Sequence, residues 1–141
     1  GALPEALKKY IEGKIKPVEQ DGAKANYVGL IKKEDGRINW DKSAEEIERL
    51  IRAMNIWPGA YSKLQITNYK LQILKIIEVE HDTLKINKYK IGEFFLHDGK
   101  LAVQCGKDAL VIKKLQLEGK KAMGGEEFLR GQGDVAGKIL A

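Results

Sequence analysis

Only one cysteine, Cys105, occurs in the 141 residues, so the chain cannot close a disulfide on itself and cannot supply a metal site that needs two thiolates. It sits in the alternating run Leu101, Val103, Cys105, a pattern that predicts core packing rather than a reactive thiol. Histidine is nearly as scarce. His81 and His97 stand alone, with no second histidine or cysteine at ligand spacing, and neither is a metal-ligand candidate. Long apolar runs are missing as well: Ile76–Ile77 and Ala109–Ile112 are far too short to span a bilayer. The opening Gly1-Ala2-Leu3-Pro4 lacks the charged start and apolar middle of a secretion signal, and the chain reads as cytoplasmic, with no membrane and no metal among its partners. Catalytic signatures are absent too: there is no G-x-S-x-G, no phosphate-cradling glycine loop and no H-E-x-x-H. The acid pairs Glu34-Asp35, Glu45-Glu46 and Glu126-Glu127 fall at a turn and at two helix starts, where carboxylates suit the local dipole. No catalytic residue is assigned.

What is present is enough for one domain of ordinary size, with a single core and no room for a second full domain. The net charge of +5 says little alone, but its distribution says more. From Lys100 to Gly124 six lysines (Lys100, Lys107, Lys113, Lys114, Lys120, Lys121) face two acids (Asp108, Glu118), whereas residues 25–60 hold six basic and six acidic side chains. The cationic excess is local, and clustered lysines suit phosphates, because each neutralised phosphate releases counterions. The candidate binding set is Lys113, Lys114, Lys120 and Lys121, with Lys107 and Arg130 as outer members and Lys14 and Lys16 as a second patch. A competing role for the Gly119-Lys120-Lys121 loop is structural, with lysines donating to carbonyls of the last helical turn.

Along the chain, Leu3, Leu7, Tyr10 and Ile11 at helical spacing predict a short helix over residues 4–11, stopped at Gly13. Lys14 to Gly22 has linker chemistry. Ala25–Ile31 has strand composition, Glu34-Asp35-Gly36 marks a turn, and Arg37–Trp40 follows as a short extended piece. Ser43 to Met54 is the clearest helix, with Ser43 and Glu46 as a capping box and Ala44, Ile47, Leu50, Ile51 and Met54 as one apolar stripe. Its outer face pairs Glu45 with Arg49 and Glu48 with Arg52, which predicts a solvated face. Trp57-Pro58-Gly59 reads as a rigid corner delivering Ala60–Ile66 into a sheet, with Trp40 and Trp57 walling the core; base stacking by the tryptophans is the alternative.

The remainder is β-rich. Tyr69–Val79 alternates imperfectly, as a bulged or sharply coiled strand would, and Leu110 and Ile112 against Leu115 and Leu117 shift parity across Lys113-Lys114. One extra residue at the two lysines would restore the face and turn a lysine outward. Turns at His97–Lys100 and Gly106–Asp108 predict a meander of Ile91–Leu96, Lys100–Cys105 and Ala109–Leu117. Glu126 to Arg130 is a helical turn with Phe128 and Leu129 as a plug, and Gly131–Ala141 is a loose tail with a possible tether at Lys138-Ile139-Leu140. The predicted class is mainly β with α: a small, partly open barrel of the oligonucleotide-binding type, with one amphipathic helix and short flanking helices.

Three ordered patches carry a family resemblance: Lys33–Trp40 (KEDGRINW), Ile56–Tyr61 (IWPGAY), and Cys105–Met123 followed by Glu126–Gly131 (EEFLRG). Together they resemble the C-terminal domain of methionyl-tRNA formyltransferase, whose Gly-Lys-Lys-x-Met pattern matches Gly119–Met123 residue for residue; Gly124-Gly125 departs from the more usual small-polar-plus-Ala pair. Related formyltransferases carry a domain of similar build. The resemblance implies that residues 1–13 are the last helix of a preceding catalytic domain, 14–24 a connector, and 25–141 the oligonucleotide-binding-like domain. It further implies an N-terminal formyltransferase domain in cis that holds the formyl-folate and an Asn, His and Asp set. The His-x-Ser-Leu-Leu-Pro motif of that domain does not occur here, so this fragment is expected to hold no cofactor and to be inactive alone. Its implied role is to grip initiator tRNA by backbone charge and shape for N-formylation in translation initiation. The runner-up is a spacer or interaction module of a related formyltransferase acting on a sugar nucleotide or folate.

Overall fold

The computed structural model describes residues 2–67, 70–132 and 135–141. They fall into two units, residues 1–30 and 31–141. In the first, α1 (Ala2–Ile11) starts with Pro4 and Glu5 in its opening turn and ends with Lys8 and Lys9, the charge order a helix dipole favours. Gly13, at φ +70°, lets the chain leave the helix. Leu3, Leu7, Tyr10 and Ile11 form the expected stripe, and all four are exposed. A 3-10 turn at Gly22–Lys24 is capped by Asp21, which accepts from the Ala23 N–H at 3.0 Å. The strand expected over Ala25–Ile31 does not form, and Tyr27, Val28 and Leu30 are exposed. Strand composition yields a strand only where a neighbouring ladder takes up the backbone groups.

The second unit opens with a 3-10 turn, Lys33–Gly36, in the place of the predicted turn, and Arg37 then bridges to Tyr61. Helix α2 (Ala44–Ala53) is nucleated as its sequence predicts: the Ser43 hydroxyl accepts from the Glu46 N–H at 3.3 Å, and the Glu46 carboxylate accepts from the Ser43 N–H at 3.1 Å. Ala44, Ile47 and Ile51 are buried, with Leu50 and Met54 packed at the margin. The charged face is only partly solvated. Arg49 pairs with Glu45 and Arg52 with Glu48, but Glu48 is buried and also faces His81 at 3.5 Å.

Six antiparallel strands follow among the described residues: β1 (Ala60–Thr67), β2 (Lys70–Val79), β3 (Phe94–His97), β4 (Lys100–Gln104), β5 (Ala109–Leu117) and β6 (Met123–Gly124). The order is β1-β2-β5-β4-β3, with β6 on β5, and β3-β4-β5 is the predicted meander. Tyr69, the predicted start of β2, lies outside the described residues, as do Gly133 and Asp134 of the tail. The tail's last residues are tethered: Leu140 bridges to Leu64 of β1 and Ile139 to Glu93 beside β3. Paired bonds between Lys63 and Ala141 (2.9 and 3.0 Å) and one from Leu140 to Gly92 (2.9 Å) join the two edges of the open sheet through the tail.

The larger core packs on one face of the sheet, from Ile38, Trp40 and the α2 stripe to Leu74, Ile76, Phe94, Leu110, Ile112, Leu115, Leu117 and Phe128. Phe128 comes from α3 (Gly125–Gln132) and is fully buried, the plug its sequence predicts. A smaller cluster of Phe95, Ala102, Ala109 and Val111 lies on the other face beneath Leu84, Ile86 and Tyr89. Buried Gln104 holds that covering loop, donating to the carbonyls of Ile86 (3.0 Å) and Asp108 (2.8 Å). The two tryptophans part company. Trp40 is buried and donates its indole N–H to Ser62 Oγ at 2.9 Å, and Ser62 donates onward to the Ala141 backbone oxygen at 2.9 Å. Trp57 is 60% exposed, so it does not wall the core as predicted, because the corner after α2 turns its side chain away from the sheet.

Candidate nucleic-acid interface

The parity shift at Lys113-Lys114 is a true irregularity in the ladder between β2 and β5. Ile76 pairs with Leu115, Glu78 with Lys114 and Val79 with Ile112, so the register slips on both sides of Glu78 and skips Ile77 and Lys113. Ile112 and Leu115 thereby both face the core, and the two lysines between them are exposed. The bulge that curves the sheet is also what places two consecutive cations on its surface.

From there the chain turns at Gly119 (φ +73°) and returns as β6, where Gly124 pairs with Lys114. Lys113, Lys114, Lys120 and Lys121 therefore belong to one hairpin. Gln116 shapes its loop by donating to the Lys120 carbonyl at 2.8 Å. Among the described residues, neither Lys120 nor Lys121 forms a side-chain hydrogen bond or ion pair. Lys113 differs. It is ion-paired with Glu78, and that pairing, reinforced by the charge of Lys114, holds the Glu78 carboxyl below the usual carboxylate range. The sequence reading counted Lys113 among the available cations and missed this partner, which is 35 residues away along the chain.

The outer members divide. Arg130 joins Lys113 and Lys100 around a hollow of about 320 Å³ that also carries Glu80, Glu126 and Glu127. Lys100 is paired with Glu80 at 2.7 Å, which raises the lysine pKa, so this hollow is mixed in charge. Lys107 lies at the far end of β5, in the turn before it, roughly 20 Å of strand from Lys113. It lines a different hollow, among Glu45, Glu48, Arg49 and Asp108, so the structure does not bring it to the lysine hairpin. Lys14 and Lys16 belong to the other unit, and Lys14 is paired with Glu12 at 2.8 Å.

Register also gathers residues that sequence reasoning passed over. Tyr61 of β1 pairs with Lys75 of β2, and Lys75 with Gln116 of β5, giving a row across three strands on the face opposite the core. With Lys33, Pro58, Ile73, Leu117, Glu118 and Gly119 they line a hollow of about 230 Å³. The only available signal was the alternation of Ala60, Ser62 and Leu64 with Tyr61 and Lys63, which fixes the side of the sheet but not the partner strand.

Cys105 is a buried free thiol pushed up to about 12, chiefly by loss of solvent and further by the charge of Asp108. No group of histidine, cysteine and acidic residues is arranged to hold a metal among the described residues. No helix among them is long and apolar enough to cross a membrane.

A mainly antiparallel β domain with short helices and a surface hairpin that carries four lysines is the class the fold defines. Comparison with known proteins makes this specific. The model of the formyl transferase C-terminal domain family matches residues 30–133, and the chain belongs to that family. It is 40% identical over 126 residues to a methionyl-tRNA formyltransferase of Rickettsia massiliae (strain Mtu5), covering 89% of this chain and 39% of that protein. A methionyl-tRNA formyltransferase of Bacillus velezensis (strain DSM 23117 / BGSC 10A6 / LMG 26770 / FZB42) is 36% identical over 138 residues, covering 98% of this chain and 42% of that protein. The chain thus spans about two fifths of the length of these relatives. Among solved structures, HypX from Aquifex aeolicus in complex with tetrahydrofolic acid has the same fold over 95% of this chain and 23% of its own, with a TM-score of 0.61 and 19% identity.

Proposed function

We propose that this chain is the tRNA-binding, non-catalytic domain of a methionyl-tRNA formyltransferase, acting in the cytoplasm during translation initiation. It grips initiator tRNA along the phosphate backbone while a formyltransferase domain in cis, carrying the formyl-folate, acts on the methionyl group. The observation that carries this reading is the hairpin of Lys113, Lys114, Lys120 and Lys121, in which three of the four ammonium groups have no anionic partner of their own among the described residues. The sheet, with its edges linked by the tail, supports reading the domain as a small, partly open barrel of the oligonucleotide-binding type. Such a grip is weak and salt-dependent, on the order of 10⁻⁴ to 10⁻⁶ M in isolation. It positions the RNA without reading its sequence.

The test is fluorescence anisotropy of labelled initiator tRNA across a salt series, with elongator tRNA and duplex DNA as competitors. A steep salt slope with little preference among tRNAs is the expected result. Absence of binding at low salt would sink the proposal. It would instead favour a spacer or interaction module of a related formyltransferase that acts on a sugar nucleotide or folate. The exposed stripe of Leu3, Leu7, Tyr10 and Ile11 on α1 suits that second reading, and sedimentation at rising protein concentration would reveal the self-association it implies.

A further inference from the structure

The hollow on the outer face of β1, β2 and β5 has a different make-up from the lysine hairpin beside it. It is lined by the cross-strand row Tyr61, Lys75 and Gln116, together with Pro58, Lys33 and Gly119. Tyr61, Pro58 and Ile73 provide apolar wall, while the polar groups are of both kinds: ammonium donors on Lys33 and Lys75, the Glu118 carboxylate, and the Gln116 amide. The Gln116 side chain is oriented by its bond to the Lys120 carbonyl. That bond uses an amide hydrogen, and the amide oxygen accepts from no described residue. The stem of Lys75 runs along Gly59, since a Cβ built there would lie 3.8 Å from the lysine Cδ. At about 230 Å³ the hollow has room for one planar ring with its substituents and not for a base pair.

The approach to this hollow is unusual. Pro58 follows Ile56 and Trp57 at the corner after α2, and these two are 98% and 60% exposed. Ile56 is held at φ +82°, a conformation a β-branched residue adopts only under steric cost. An exposed, strained apolar corner beside an aromatic and amide-lined hollow is poorly explained by stability, and it is the kind of place where backbone strain serves a binding site.

We propose that this hollow takes a single unpaired nucleobase of the bound RNA, extruded from its stack. The base inserts against Tyr61 and Pro58, and its edge meets the Gln116 amide oxygen and the Lys75 ammonium. Unpaired RNA bases are recognised in this way, by aromatic contact combined with hydrogen bonds to an exposed edge. This inference rests on the reading of the lysine hairpin as an RNA grip and adds a contact that senses where the RNA is unpaired. The hairpin holds any phosphate backbone, whereas the hollow distinguishes a looped or bulged segment from a continuous duplex.

The experiment uses the 141-residue chain and two RNA hairpins of matched length, one with a single bulged 2-aminopurine and one with that base opposite uracil. Affinity is read by competition anisotropy and insertion by 2-aminopurine emission. The expected result is a preference for the bulged RNA on the order of tenfold, with an emission change on binding. Tyr61→Leu brings the ratio close to one with the affinity for the paired hairpin retained, and Lys75→Met reduces the ratio without disturbing the hydrophobic core. Lys120→Ala weakens both RNAs alike. Thermal melting confirms that each variant is folded. Equal affinity for the two RNAs, with no emission change, overturns the nucleobase hollow and leaves the charge grip standing. Failure to bind either RNA at low salt overturns both.

Discussion

Substituting Glu78 by Gln should make this domain bind RNA with a steeper salt dependence. The reason lies in the bulge. Glu78 sits opposite Lys114 in the ladder and is ion-paired with Lys113, so its charge is shared between two lysines of the proposed phosphate grip. Its carboxyl is held below the ordinary range by that pairing, first through the hydrogen bond from Lys113 and then through the lysine's charge. A carboxyl lowered in this way contributes stability above its unfolded pKa and loses it only as pH falls through the folded value. At neutral pH the pair is therefore intact and Lys113 is largely spent. Glu78→Gln keeps the shape, removes the charge and releases one cation.

One additional phosphate contact raises the slope of log affinity against log salt by about 0.7 on single-stranded and about 0.9 on duplex nucleic acid. Over a fourfold rise in salt, the variant should therefore lose about threefold more affinity than the native chain, from a tighter starting point at low salt. The assay is the anisotropy titration at several salt concentrations, with melting as a check on folding. Two further variants sharpen it: Lys114→Ala should lower the slope by about one contact, and Lys113→Ala should lower it much less, because its charge is already offset. If Glu78→Gln leaves the slope at the native value and Lys113→Ala costs as much as Lys114→Ala, the account of the bulge as a partly neutralised cation display is wrong.

Three other outcomes follow from the packing. Gly106→Ala would place a Cβ 2.0 Å from the Asp41 carbonyl oxygen, where Gly106 also donates to Trp40 and Lys42, and should cost at least about 1–3 kcal/mol in urea unfolding. Leu140→Ala empties a buried site in the tail that links β1 to the β3 edge, with an expected loss of about 2–5 kcal/mol. A native-like melting curve for that variant would mean that the tail contributes little to closing the sheet. Cys105, with its thiol pushed up to about 12 by burial, should resist thiol reagents at about pH 8 until the protein unfolds, and rapid labelling in native buffer would contradict that burial.

Much of the fold was legible because it depends on local pattern. The capping box at Ser43 and Glu46, the stripe of α2, the β3-β4-β5 meander and the Phe128 plug each follow from a few neighbouring residues and are found in place, except that β3 runs over Phe94–His97 rather than Ile91–Leu96. The parity shift at Lys113-Lys114 was legible for the same reason, since two apolar pairs of opposite phase require one extra residue between them. What failed were expectations that treated side-chain type as destiny. Ala25–Ile31 has strand composition but no ladder to join, and Trp57 is as apolar as Trp40 yet lies outside the core. Trp40 is fixed by a hydrogen bond to Ser62, a partner 22 residues on that no local window contains.

The candidate site divides along the same line. The lysine hairpin is contiguous, so reading Lys113 to Lys121 in order was enough to find it. Whether each lysine is available is a different matter, because it depends on acids brought in by other parts of the chain: Glu78 occupies Lys113 and Glu80 occupies Lys100, while Lys107 lines a separate hollow of mixed charge. The row of Tyr61, Lys75 and Gln116 is more distant still from sequence reading, since three residues on three strands become neighbours only when the register is set. The register of β2 on β5 is the same on either side of the irregularity, because β2 skips Ile77 where β5 skips Lys113, and both strands change phase together. Deleting Lys113 alone would leave the skip at Ile77 uncompensated and force a one-residue slip between the two strands, so the cationic display and the row that lines the proposed nucleobase hollow are coupled in folding. Yet single side-chain changes separate them in binding, which makes a bulge deletion and Tyr61→Leu complementary tests of one interface.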